Sequence, residues 1–323
     1  MSDRYSRQTV LREVGAAGQE RLRAGAVLVI GAGGLGCAVL PYLTAAGVGR
    51  LLVLDPDKVE ESNLHRQPLY RMSDLGSLKA PAAARALAHL NPHVKIEARA
   101  ERLTPANAAE LIAQVDVVVD AADSFAVTYS LSDACRRASK VLVSASVLGL
   151  SGYVGAFCGT APSYRAVFPE MPAQAGSCAQ SGVLGTAVGV MGTLQAHMVL
   201  ALLLRLEPSV QGEMRTVDFR TLRCGGFSFV GAPEPPGTVL SFISPADVSA
   251  RDVVIDLRAL TEAPVSPFTT ALRISVEQVE GEAVQLPHGE RIVLCCRTGV
   301  RAWRAARALA ARGYERLALV ALG

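Results

Sequence analysis

Between residues 26 and 57 the chain reads AVLVIGAGGLGCAVLPYLTAAGVGRLLVLDPD: an apolar strand, a glycine turn, a helix, and a second apolar strand ending at Asp55. Two parallel neighbours can be joined only by a crossover, so this order commits the chain to a βαβ unit and a parallel sheet. In the turn GAGGLG, the bare Gly31, Gly33, Gly34 and Gly36 let backbone N–H groups approach a phosphate at the helix N-terminus. Asp55 follows Gly36 at about the 20-residue distance at which a carboxylate meets a ribose hydroxyl.

The rest of the chain continues the alternation. SLKAPAAARALAHL reads as an amphipathic helix, residues 94–98 and DVVVDAAD as strands, and VLVSASVLG as a further strand. Residues 181–206 are apolar and long enough to resemble a membrane span. Gln195 and His197 near the middle, with several glycines before them, predict instead a helix buried in a large core. EMRTVDFRTL and CGGFSFVG read as strands, and the Pro/Gly run GAPEPPGT as a linker. The predicted fold class is α/β: a Rossmann-like nucleotide-binding domain over residues 1–232, a linker at 233–238, and a smaller α/β unit over 239–323. In that second unit VVIDLR and RIVLCCRTGV are strands and RAWRAARALAARG a helix with an arginine face.

Composition bears on partners and compartment. Of 323 residues half are apolar, and a formal net charge of +3 is spread without any block of like charges. That argues against nucleic acid or an acidic membrane surface as a partner. MSDRYSRQTVLREVG is charged where a signal peptide needs an apolar core, so a cytoplasmic protein with reduced thiols is expected. Seven cysteines, irregularly spaced and with no C-x-x-C, fit one or two reactive thiols better than a disulfide framework.

The glycine fingerprint alone means a nucleotide, and an NAD-dependent oxidoreductase is its commoner owner. The neighbours point elsewhere. DPDKVEESNLHRQPLY brings Ser62, Asn63, Arg66 and Gln67 into a polar loop after Asp55, and Lys79 follows in GSLKA. Guanidinium and ammonium groups neutralise a triphosphate and the charge developing on its α-phosphorus, which hydride transfer does not need. Asp123, at the C-terminal end of DVVVDAAD, stands where an open parallel sheet presents ligand groups and can hold magnesium. Asp120, within the strand, is the weaker candidate. For any one of these charges an ordinary ion pair is the competing explanation.

RYSRQ, GAGGLG, LDPD, SNLHRQ, GSLKA, D-x-x-D-S and SCAQSGVLG together resemble the MoeB/ThiF type of adenylyltransferase, from molybdopterin and thiamin biosynthesis, relatives of ubiquitin-activating enzymes. The resemblance covers residues 4 to 230. It implies a homodimer with two ATP sites, in which Arg7 reaches into the other subunit's site. It further implies that Gly34, Asp55, Asn63, Arg66, Lys79 and Asp123 contact ATP or magnesium. The implied substrate is a ubiquitin-like sulfur carrier ending in Gly-Gly, whose carboxylate displaces pyrophosphate to give an acyl adenylate. Many relatives hold zinc with two C-x-x-C pairs. Here Ser163 and Ala166 stand where the first pair is expected and the second is absent, so no zinc is expected. Ser124 replaces the usual asparagine beside Asp123.

Two thiols are candidates for sulfur handling. Cys178, in GSCAQSG, is at the position where the family places a cysteine that in some members bonds to the carrier; the alternative is a small buried residue at a loop end. Cys296, Arg297, Thr298, Gly299, Val300 and Arg301 resemble the six-residue C-x-x-G-x-R loop of rhodanese-like sulfurtransferases. Such a loop turns amide N–H groups and arginines toward one sulfur and holds an anionic persulfide. Cys295 is read as facing the core. The usual His/Pro/Gly-rich loop is replaced by APVSPFTTALRISV, which leaves open a degenerate module that only docks a partner. The reading is therefore a cytoplasmic enzyme that adenylates a sulfur carrier and passes it sulfur from a persulfide donor. A non-catalytic carrier-binding protein of the same fold is the alternative, and adenylation of a peptide or tRNA a third.

Overall fold

The computed structural model describes residues 3–172, 182–236, 239–281 and 284–323. Helices α1 (Ser6–Thr9) and α2 (Gly15–Ala24) lead into β1 (Ala26–Ile30), α3 (Gly34–Ala46) and β2 (Arg50–Leu54). Then come α4 (Lys79–Leu90), β3 (Lys95–Arg99), α5 (Pro105–Ala113), β4 (Val117–Asp120), α6 (Phe125–Arg137) and β5 (Val141–Leu148). β6 (Ser151–Cys158), α7 (Tyr164–Val167), α8 (Gly185–Leu204), β7 (Glu213–Asp218) and β8 (Arg223–Ser228) follow. The eight strands form one sheet in the order β3-β2-β1-β4-β5-β6-β7-β8.

This sheet is parallel from β3 to β5 and antiparallel from β5 to β8. The antiparallel half contains β6, which the sequence reading missed. SGYVGAFC carries two glycines that blur its alternation, and it is joined to β5 by a turn in which Gly149 has φ +59°. Alternate residues divide the core. Leu28, Ile30, Leu52, Leu54 and Val118 pack on one face with Leu111, Tyr129 and Leu131 of α5 and α6. Val27, Val29, Leu51, Val53 and Val119 pack on the other with Leu40, Leu43, Val188 and Val199 of α3 and α8. The apolar α8 is fixed there by Gln195, whose Nε2 donates to Asp120 O at 2.7 Å and Val143 O at 3.0 Å.

A second sheet is built from β9 (Ser241–Phe242), β10 (Val253–Asp256), β11 (Leu272–Arg273), β12 (Ile292–Cys296) and β13 (Leu317–Ala321), with α9 (Val276–Glu280) and α10 (Val300–Ala311). Its order is β11-β10-β12-β13-β9, and every pairing is parallel. Helix α6 lies between the two sheets. Ala126 and Tyr129 belong to the same apolar cluster as Phe242, Leu294, Cys296 and Trp303. The Pro/Gly run that resembles a loose tether is pinned at Glu234. That carboxylate accepts from Ser163 N at 2.8 Å and Ser163 Oγ at 2.6 Å, and pairs with Arg136 at 3.3 Å.

Candidate functional site

β2 and β4 flank β1 on opposite sides, so the connections leave in opposite directions and a crevice opens at the carboxyl ends of these strands. There the structure has a cavity of about 470 Å³. Its walls include Gly31, Gly33, Gly34, Asp55, Asn63, Arg66, Gln67, Lys79, Asp123 and Ser124.

The glycines of the turn divide by role. Gly31 has φ +98°, and a Cβ there would stand 2.5 Å from Ala121 O, so only glycine lets the chain leave β1 against β4. A Cβ on Gly34 would press on Val188 Cγ1 at 2.7 Å, which makes this position a contact between α3 and α8. Gly36 is not in the cavity wall. Its missing Cβ makes room for Gly31 O, 2.1 Å from where that atom would be, so its role is packing rather than approach to a ligand. Gly33 alone faces open space, with Gln67 Nε2 the nearest atom at 3.8 Å, at the N-terminus of α3. A phosphate oxygen fits beside it.

Asp55 is buried and ties the turn to the end of β2. Its Oδ2 accepts from Ala32 N at 2.7 Å and its Oδ1 from Asp57 N at 2.8 Å. Burial raises its pKa, against the opposing pull of Lys79. Lys79 opens α4, is 6% exposed, and places Nζ 3.2 Å from Asp57 Oδ2. Arg66 Nη1 donates to Ser62 O at 3.1 Å and sits 2.8 Å from His65 Nε2. Ser62 supports the loop from outside the cavity, its Oγ accepting from Asn63 Nδ2 at 3.3 Å. Gln67 is 3% exposed, and its Oε1 has no hydrogen-bond partner. A bound hydroxyl or amino group would satisfy it.

Asp123 and Ser124 lie on the loop between β4 and α6. Asp123 is exposed, with its carboxylate available to a ligand or ion. Asp120 is fully buried and structural: it accepts from Thr128 Oγ1 at 2.7 Å, Ser144 Oγ at 2.9 Å and Ala122 N at 3.2 Å. Burial pushes its pKa up to about 6. Among the described residues no group of three or more His, Cys, Asp or Glu is placed to hold a metal ion. A magnesium ion at Asp123 would thus take its other ligands from phosphates and water, as magnesium in nucleotide sites does. Arg7 is exposed on α1 and outside the cavity.

Some of the site gave no motif to read. Arg102, just past β3, lines the same cavity; the rule that ligands gather at strand carboxyl ends would have found it. A second, mostly apolar groove of about 750 Å³ runs over β6, β7 and β8 past Tyr153, Tyr164, Phe168 and Cys224. A smaller cavity of about 130 Å³ shares Asp123, Ser124 and Ser146 with the crevice and Phe125, Tyr153 and Tyr164 with the groove. The three cavities follow one another along the sheet.

Cys178 lies outside the described residues. Cys296, expected to carry sulfane sulfur, lies at the end of β12 and is fully buried. Its Sγ accepts from Gly299 N at 3.1 Å and Ala302 N at 3.4 Å, so amides of the loop do turn toward the sulfur. Gly299 has φ +87°, and a Cβ there would meet the Phe242 ring at 2.6 Å and Ala126 Cβ at 3.3 Å. The loop is closed by β9 and α6. Arg297 and Thr298 are exposed, and Val300 is buried. Cys295 is buried on the opposite face of the sheet, and burial pushes its pKa up to about 12.

The comparisons with known proteins agree with this architecture. The chain is 47% identical over 318 residues to the adenylyltransferase and sulfurtransferase MOCS3 of Bos taurus, an alignment covering 86% of this chain and 70% of that one. It is 44% identical over 224 residues to the sulfur carrier protein adenylyltransferase of Thermus thermophilus, covering 67% of this chain and 83% of that one. The crystal structure of E. coli MccB with ATP superposes with a TM-score of 0.61 at 21% identity, over 72% of this chain and 73% of that one, which shows a shared fold. Since the ThiF family model matches residues 5–235, well over half of its length, the chain belongs to the ThiF family.

Proposed function

We propose that this protein uses ATP to adenylate the C-terminal glycine of a ubiquitin-like sulfur carrier and then supplies the sulfur that makes the carrier's thiocarboxylate. The observation that carries this reading is the common cavity of Gly33, Arg66, Lys79 and Asp123, which joins a phosphate-sized opening at a helix N-terminus to two cations and an exposed carboxylate. In this reading Asp55 and the partnerless Gln67 Oε1 hold the ribose end. Arg66 and Lys79 neutralise the phosphates. The carrier's tail enters along the apolar groove, and its carboxylate oxygen attacks the α-phosphorus while the bond to the β-phosphate breaks and pyrophosphate leaves. A magnesium ion at Asp123 would neutralise charge on the phosphate oxygens.

In the second step the outer sulfur of a Cys296 persulfide attacks the acyl adenylate and expels AMP. A thiol, with Cys178 the candidate, then attacks the Cys296 sulfur of the resulting acyl disulfide, so that the thiocarboxylate leaves with the S–S electron pair. A Cys178–Cys296 disulfide forms, which a cellular dithiol reduces before the next turnover. The two sheets act as an adenylating domain up to residue 232 and a sulfur-carrying domain from residue 239. A homodimer is supported by apolar side chains left outside: Val10 and Leu11 are 81% and 56% exposed beside Arg7, and Leu184 and Val190 of the α8 region 57% and 46%. The same protomer arrangement would bring Arg7 to a neighbouring site. The six cysteines among the described residues, all free thiols, suit the reducing cytoplasm. The burial of Cys296 favours a second reading for the smaller unit alone, a docking module without sulfur chemistry.

The test is carrier-dependent exchange of labelled pyrophosphate into ATP, with Asp123→Ala and Cys296→Ala beside the wild type. Exchange that disappears in the first variant and survives in the second assigns adenylation to the crevice and a later step to Cys296. No exchange with any Gly-Gly carrier would sink the proposal.

A further inference from the structure

Glu262 is a carboxylate that the chemistry proposed above does not use. It lies in the loop after β10 and takes both terminal nitrogens of Arg301, Nη1 to Oε2 at 2.8 Å and Nη2 to Oε1 at 2.5 Å. Arg301 is the last residue of the loop that begins at Cys296, and Cys296 is within electrostatic reach of its guanidinium. The sulfur has two amide donors, from Gly299 and Ala302; of the loop's two arginines, Arg297 is exposed, while Arg301 is engaged by Glu262 and by Leu257 O at 3.1 Å. Of the other nearby arginines, Arg258 after β10 and Arg273 at the end of β11 are held by Asp256 at 2.8 and 3.5 Å. Arg301, which also contacts Cys296 and Leu257 O, is therefore the guanidinium beside the sulfur whose one acidic partner is a loop carboxylate. The pair is about a third exposed on both sides, in the range where such contacts are weak enough to exchange.

An anionic sulfur donor needs a forked cation of this kind, because a guanidinium binds two oxygens of one anion at once. We propose that Glu262 competes with the incoming anionic donor for Arg301 and so sets the donor's affinity as a positioning residue, without taking part in the sulfur chemistry. This rests on the reading of Cys296 as the sulfur carrier. With thiosulfate as the probe, the Cys296 thiolate attacks the outer sulfur, the new S–S bond forms, and sulfite leaves with the electron pair of the old one. Cyanide then takes the outer sulfur as thiocyanate and the thiolate returns.

The experiment is thiosulfate-to-cyanide sulfur transfer by the full chain at varied thiosulfate, for wild type, Glu262→Gln, Glu262→Asp and Cys296→Ala. Glu262→Gln is expected to lower the KM for thiosulfate about two- to fivefold at unchanged kcat, the span of an exposed ion pair. Glu262→Asp, which keeps the charge, is expected to stay at the wild-type KM, and the difference between Gln and wild type to shrink as salt is added. A KM that is unchanged or higher in Glu262→Gln, while transfer still needs Cys296, overturns the competition and leaves the role of Cys296 standing. Transfer that is absent from every variant, or that survives Cys296→Ala, overturns both.

Discussion

The guanidinium carbon of Arg165 stands 5.4 Å from the centre of the Trp303 ring, which brings a side chain of α7, packed on the larger sheet, against one of α10 on the smaller. Arg165 also lies 4.7 Å over the Tyr129 ring, forks onto Asp133 at 2.6 and 2.9 Å, and donates to Leu240 O at 3.1 Å. It is 4% exposed, so its charge depends on these partners.

Replacing Arg165 with Met leaves Asp133 half of a broken buried pair, and such breakage costs about 3–5 kcal/mol. Urea unfolding of Arg165→Met, followed by the emission of Trp303, the chain's single tryptophan, is expected to show that loss. The double variant Arg165→Met with Asp133→Leu is expected to recover most of it, because no unpaired charge remains. An unchanged midpoint in the single variant would mean the pair holds nothing together.

Gly33 and Gly36 are expected to separate binding from folding. A methyl at Gly36 lands 2.1 Å from a backbone oxygen that cannot turn aside, so Gly36→Ala should cost about 3 kcal/mol or more. At Gly33 the same methyl enters open space, so the only cost of alanine is the backbone conformation, φ −79° and ψ −146°, which lies outside the regions alanine favours. Gly33→Ala should therefore lose less stability than Gly36→Ala, about 1–2 kcal/mol, and lose ATP affinity about tenfold or more, measured by calorimetric titration. If Gly33→Ala binds ATP as tightly as wild type, the phosphate does not lie at this turn.

The same contrast shows what the sequence made legible. The βαβ unit and the polar loop after Asp55 could be read because strand, turn and helix signals are local, and because carboxyl ends of parallel strands converge wherever such a sheet forms. The division of labour among the four glycines was hidden, since it depends on Ala121 and Val188, which reach the turn only through β4 and α8. The apolar groove was hidden for a related reason: β6, β7 and β8 meet by antiparallel pairing, and no motif announces a wall shared by Tyr153, Thr216 and Cys224. The C-x-x-G-x-R pattern located Cys296 at a strand end, but its closure comes from Phe242 and Ala126, remote in the chain.

Asp120 should make stability depend on pH. Its folded pKa of about 6 lies above the ordinary 3.8, so the buried carboxylate penalises the fold above pH 6, and the penalty is relieved as pH falls toward 4. Between pH 7 and pH 5 the wild type should gain about 1 kcal/mol relative to Asp120→Asn, which has no proton to take up. Parallel urea titrations at pH 5, 6 and 7 test this. A difference between the two proteins that does not change with pH would place the group's folded pKa outside that window.

Thiol labelling tests the closure of the smaller unit against the openness of the groove. Among the described cysteines Cys224 alone is exposed, on β8 in the groove wall. Burial pushes the pKa of Cys37, Cys158 and Cys295 up to about 12 and that of Cys135 well above its usual value, so these four stay protonated as well as covered. Cys296 is 0% exposed, in the apolar cluster that also holds Phe242 and Ala126 of α6. In a Cys178→Ala background, native alkylation at pH 8 should therefore modify Cys224 rapidly and Cys296, which sulfur transfer requires to be reached, only slowly, and adding Cys224→Ser should abolish the rapid reaction. Because the alkyl group would stand in the path assigned to the carrier's tail, the labelled protein should lose carrier-dependent pyrophosphate exchange while unlabelled Cys224→Ser retains it. Rapid native labelling of Cys296 would show instead that the contact with α6 opens readily; retained exchange after labelling would move the tail out of the groove.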